Sequence, residues 1–130
     1  KTLETVKKKI GIIFNTDTHD KPGAHWISLF VNLETGEMKF FDSVGDRAPS
    51  NVKKFCNMVK KQAEKSSYDL PEFIFEEGYP NSHQKKNTEC GIYSLYFIQN
   101  MIEKNNFSFF KNEKIKDEDM QKFRTYFFNK

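Results

Sequence analysis

Cys90 is one of only two cysteines in the chain, and Gly91 and an apolar run follow it in "ECGIYSLYFIQ". A thiol at the first turn of a helix faces unpaired backbone N–H groups and the positive end of the helix dipole, which stabilise the thiolate, the nucleophilic form. Gly91 removes steric cover from the sulfur and lets a substrate backbone come close. A thiolate needs a proton partner, and His25 in "GAHW" stands beside Trp26, whose indole can shield the imidazole from water. Asp42 in "FFDS" can accept the second imidazole N–H, fix the tautomer and stabilise an imidazolium. Gln84, in the polar loop before Cys90, could donate its amide N–H to a developing oxyanion beside the Cys90 backbone N–H. Taken singly, each residue has an ordinary reading: a small buried hydrophobe, a surface pair, a loop amide. Taken together they describe acyl transfer through a thioester.

The elements that must position these residues follow from local patterns. "IGIIF" (10–14) has strand length, and "NTDTHDKPG" is turn-forming, so Asp17 and Asp20 read as turn residues. "HWISLFVNLETGEMKFFDS" reads as a β-hairpin turning near Thr35, which brings His25 and Asp42 to the same end. "APSNVKKFCNMVKKQAEKS" spaces Val52, Phe55, Cys56, Val59 and Ala63 as a helix capped by Ser or Asn, with Cys56 on the buried stripe and therefore slow toward thiol reagents. "PEFIFEE" (71–77) reads as a third or edge strand. A helix is expected from Cys90 to Lys104, with Ile92, Leu95, Tyr96 and Ile98 deeply buried. A closing helix is expected in "KDEDMQKFRTYFFNK", with acids in its first turn where the macrodipole favours them. Phe107, Phe109, Phe110, Phe123 and Phe127 read as core rather than as a ligand box. Strands with helices packed on them give an α+β domain.

"GAHW", then "FFDS", then a Gln shortly before "ECGIY" resembles the ubiquitin-like-protein (SUMO) protease family, whose residues run in the order His, Asp, Gln, Cys. The resemblance covers roughly residues 10–104. It implies Cys90 as nucleophile, His25 as base and acid, Asp42 as its orienter, Gln84 as oxyanion donor, and Trp26 with Gly91 as substrate-binding residues, Trp26 walling a substrate channel. It also implies a mixed β-sheet flanked by helices, the cysteine opening a central helix, and cleavage after Gly-Gly or Gly-X-Gly tails threaded through a narrow tunnel. The "NTDTHDKPGAHW" loop and the "DEDMQKFRTYFF" helix are closer to the virion-maturation proteases of large DNA viruses, a branch that includes adenovirus-type enzymes. The expected partner is thus a protein substrate: a viral precursor by a slight preference, or a conjugate of ubiquitin or a ubiquitin-like modifier. An acetyltransferase of similar fold and a non-catalytic binding module stay open as rival classes. The full set of four residues weighs against the second, since a module needing only shape has no use for them.

Composition narrows the rest. A chain of 130 residues is one domain's worth, expected to be a single catalytic domain over 1–130 that lacks an N-terminal part, because it opens on Lys1 rather than Met and is short for the family. Lys and Arg exceed Asp and Glu by 21 to 18, and the lysines are scattered, so a solvated face is expected and nucleic acid is not. No apolar stretch reaches the roughly 20 residues of a membrane span. With no secretory segment, both cysteines read as thiols of an intracellular protein (cytoplasmic, nuclear or virion) that is not secreted. No cofactor is expected. His19 and His25 lack a metal-ligand spacing, so no metal site is expected either, and His83 reads as the rim of the site or solvated surface.

Overall fold

The computed structural model describes residues 8–15, 25–66, 69–83 and 90–128. In chain order the elements are β1 (Lys9–Asn15), β2 (Trp26–Asn32), β3 (Glu37–Phe41), α1 (Ser50–Lys65), β4 (Ile74–Glu77), α2 (Cys90–Lys104), α3 (Phe107–Asn112) and α4 (Asp117–Phe128). The strands form one mixed sheet in the order β1-β2-β3-β4. β1 and β3 flank β2 antiparallel, while β4 lies parallel to β3 at the edge, reached through α1. This is the α+β architecture with helices on a mixed sheet that the motifs and patterning predict.

β2 explains the layering. Its run "WISLFV" is apolar at nearly every position because both faces of the strand are covered. Ile27, Leu29 and Val31 point to one side and pack with Met38, Phe40 and the α1 residues Val52 and Cys56. Phe30 points to the other side, where Phe41 joins Tyr93, Phe97 and Met101 of α2, and Phe110 and Met120 behind them. At full burial each such aromatic or aliphatic side chain contributes about 1.5–3 kcal/mol. The aromatic stacking is dense on this side: Phe41 lies parallel to Phe97 with centroids 4.8 Å apart, and Phe110 meets both edge-on.

The hairpin turns where expected. Asn32 Oδ1 accepts N–H bonds from Glu34 and Thr35, and Gly36 closes the turn at φ +81°, a conformation that favours glycine. A Cβ on Gly36 would also run into the backbone carbonyl of Glu72. The register pairs Ser28 with Phe41, so the residues just outside the two strands, His25 and Asp42, come to the same end.

Three local expectations are corrected. The buried stripe of α2 is Cys90, Tyr93, Ser94, Phe97 and Met101; of the expected set only Ile92 is deeply buried, while Leu95, Tyr96 and Ile98 are partly covered. The helix is apolar nearly all round, so its pattern does not reveal which face meets the sheet. α1 begins after Pro49 with no side-chain cap; Asn51, already inside the helix, instead accepts the Val52 N–H at 3.0 Å. Finally, Phe109 does not join the core as expected, because α3 turns it outward. Asn105 takes a left-handed conformation at φ 50° that ends α2, and Phe107 and Phe110 are then buried while Phe109 is exposed. The side chain of Phe127 lies outside the described set.

Candidate active site

Each residue of the site sits at the end of an element, where backbone groups are still available. His25 immediately precedes β2, Asp42 immediately follows β3, and Cys90 is the first residue of α2. His25 Nε2 and Asp42 Oδ1 are 2.9 Å apart. Asp42 is 7 % exposed and accepts a second bond from the Val44 N–H at 2.9 Å, so its carboxylate is held by the turn that follows β3. With Nε2 engaged on Asp42, Nδ1 is the ring atom left for the hydrogen bond that His25 makes with the Cys90 thiol. The thiol itself is buried and also accepts the Trp26 backbone N–H at 3.4 Å.

The electrostatics follow from these contacts. The Asp42 carboxylate, and after it the Cys90 sulfur, raise His25 from 6.5 to about 10, against the opposing effect of burial. Burial is the largest influence on Cys90 and pushes the thiol up. It is outweighed by the His25 hydrogen bond, the Trp26 N–H, the His25 charge and the Gly91 N–H, so the net direction is down. The arrangement therefore favours a thiolate–imidazolium pair with the carboxylate behind it. Cys56, in contrast, is pushed up by burial in the α1 stripe, and neither cysteine is in a disulfide.

Trp26 is 37 % exposed while its backbone is pinned twice: its N–H donates to Cys90 Sγ, and its carbonyl accepts from Ser94 Oγ at 3.1 Å. Ser94 is one helical turn beyond Cys90 on the same face, a spacing in the sequence that could have marked it as a partner of the site. The indole stands over Gly91, where an added Cβ would already touch the Trp26 ring at 3.7 Å. Beside them opens a mostly apolar cavity of about 330 Å³ lined by Ile13, Trp26, Gly91, Ile92, Leu95, Arg124 and Phe128.

Gln84, expected as the oxyanion donor, lies outside the described residues, as do Asp17, His19 and Asp20. His83, expected at the rim or in solvent, is instead 1 % exposed. Its Nε2–H donates to the Phe110 carbonyl and its Nδ1 accepts the Ile115 N–H, both at 2.9 Å. Two backbone groups at the α3–α4 junction thus find their partner in this ring, which is why a polar side chain is buried there. Among the described residues no cluster of His, Cys, Asp and Glu could hold a metal ion, and no helix is long and apolar enough to cross a membrane.

Residues 3–130 match the family described as "Ulp1 protease family, C-terminal catalytic domain". The cysteine protease S273R of African swine fever virus is 32 % identical over 120 residues, covering 91 % of this chain and 43 % of that protein; in another isolate it is named SUMO-1 cysteine protease S273R. The putative thiol protease R355 of Acanthamoeba polyphaga mimivirus is 33 % identical over 93 residues, covering 72 % of this chain and 30 % of that protein. The crystal structure of the African swine fever virus pS273R protease superposes with a TM-score of 0.79 at 31 % identity, over 91 % of this chain and 43 % of that one. The chain spans less than half the length of these viral relatives.

Proposed function

Because the chain belongs to the Ulp1 protease family, we propose that it is a cysteine peptidase that cleaves peptide or isopeptide bonds after glycine-containing sites, with Cys90, His25 and Asp42 as its catalytic residues. The observation that carries this reading is the unbroken contact from Asp42 through the His25 ring to the Cys90 thiol at the head of α2. Cys90 Sγ attacks the substrate carbonyl carbon, and the carbonyl oxygen takes up negative charge near the Cys90 backbone N–H, where the Gln84 amide is the second proposed donor. The imidazolium of His25 gives its Nδ1 proton to the leaving amine as the C–N bond breaks, leaving a thioester on Cys90. Neutral His25 then takes a proton from water, the resulting hydroxide oxygen bonds to the acyl carbon, and the C–S bond breaks. Acid product leaves, and the thiolate–imidazolium pair is restored. Asp42 stays ionised throughout and holds the ring.

Trp26 walls the approach to the sulfur, and the small space it leaves over Gly91 supports a preference for substrates without bulk at the cleavage site. The natural substrate we propose is a viral precursor protein, in line with relatives from two large DNA viruses. The name SUMO-1 cysteine protease given to one of those relatives supports a second reading, removal of a ubiquitin-like modifier from lysine. Ubiquitin, SUMO and a Gly-Ala-Gly peptide, each carrying a thiol-reactive C-terminal group, distinguish the two. Capture of the peptide alone, lost in Cys90→Ala, is expected for precursor processing, and capture of a modifier would indicate deconjugation. No capture by any of the three, with Cys90 as slow toward iodoacetamide as Cys56, would refute the peptidase reading.

A further inference from the structure

His83 takes no part in the steps above, yet it is only 1 % exposed. Its two ends grip different parts of the molecule. The ring spans Phe110 and Ile115, the two sides of the α3–α4 junction, and lies against Phe41, the last residue of β3. The backbone N–H of the same residue donates to the Ser43 carbonyl at 2.7 Å, next to Asp42. Asn81 reinforces the grip with bonds from its amide to the carbonyls of Phe110 and Glu113, at 2.8 and 2.7 Å. Tyr93 completes it from α2, its hydroxyl reaching Ile115 O and Asp117 Oδ1, both at 2.9 Å. The turn that carries Asp42 is therefore braced from outside by a residue whose own place is set by the helical layer.

Resting on the peptidase reading, we propose that His83 is a positioning residue: its side chain anchors segment 78–83 to the α3–α4 junction, so that its backbone holds the Asp42 turn against His25. The partners require a neutral ring with hydrogen on Nε2, because a carbonyl faces that atom and an N–H faces Nδ1. A side chain that meets only one of these partners braces the turn less firmly. Asp42 then stabilises the His25 imidazolium less, and the Cys90 thiolate loses part of its partner.

The test reads Cys90 directly and does not need a substrate. The pH dependence of iodoacetamide alkylation at Cys90, resolved from Cys56 by peptide mass spectrometry, is measured for the full chain, His83→Asn and His83→Ala, with folding checked by circular dichroism. Asn keeps an acceptor for the Ile115 N–H; Ala keeps neither contact. In the native chain the midpoint is expected below that of an ordinary thiol. It should rise by about half a unit or more in His83→Ala, making alkylation at neutral pH about threefold slower, with His83→Asn in between. A role confined to stability would lower the melting temperature and leave the midpoint of the folded protein in place. Unchanged midpoints in folded His83→Asn, beside a low native midpoint, overturn this inference alone. An ordinary midpoint in the native chain overturns it together with the activated-thiol reading on which it rests.

Discussion

His25 carries the largest charge perturbation at the residue scale, and the ring and the carboxylate that mainly raises it can be removed separately. Without its imidazole, Cys90 keeps the burial that pushes it up and loses two of the influences that pull it down. His25→Ala should therefore raise the alkylation midpoint of Cys90 by about one unit or more, while Cys56 stays slow in both proteins. Asp42→Asn removes the main cause of the raised His25 value. On the proposed mechanism the alkaline limb of peptide cleavage follows loss of the His25 proton, expected near 10 in the native chain, and should then move down toward 6.5. Turnover should fall by about 10²-fold or more as the tautomer is freed. A limb that stays near its native pH in Asp42→Asn would mean that the carboxylate does not govern the ring. These residue types and their order were legible in the sequence, because a cysteine before a helix and a His and Asp at matching hairpin ends carry their chemistry with them. His83 was not, since a histidine in a polar loop has no signature until its partners are known, and Ser94 was marked only by its place one helical turn beyond Cys90.

At the scale of elements, the site depends on three chain ends meeting, and the β2–β3 hairpin sets two of them. Its register rests on the turn at Gly36, where φ is positive and the Glu72 carbonyl closes off the space a side chain would need. Gly36→Ala should destabilise the fold by about 3 kcal/mol, from left-handed strain plus displacement of the loop before β4, read from the midpoint of urea unfolding with an unchanged slope. A loss within experimental error would show that the loop yields freely. The hairpin was readable because two runs of aromatic and branched residues split by a polar turn containing a glycine are a local signal. The facing of α2 was not: Leu95 and Ile98 are as apolar as Phe97, and the choice among them is made by the sheet on which the helix lies.

Across the whole molecule, two histidines work in opposite directions on stability. His83 is lowered by burial, so its contribution is present above 6.5 and is lost as pH falls below that value and the unfolded chain takes up the proton first. His25 is raised, so its contribution is complete below 6.5 and is lost as pH climbs toward about 10. Stability should therefore peak near neutrality, and His83→Asn should flatten the first part of the acid side, below pH 6.5, while Asp42→Asn flattens the alkaline side, both read from melting temperature against pH. An unaltered acid slope in His83→Asn would place the titration elsewhere. What the sequence determined by itself was the hairpin that brings His25 and Asp42 to one end, the helix that Cys90 opens, and the α+β class, because each rests on contacts between neighbours in the chain or on local runs that mark strands and helices. Only the tertiary structure decided which face of α2 is buried, that α3 exists between α2 and α4, and that His83 is a buried brace rather than a surface residue. Those depend on groups far apart in sequence, such as Ile115 and Phe110 meeting one imidazole, and no local pattern encodes a partner that arrives by packing.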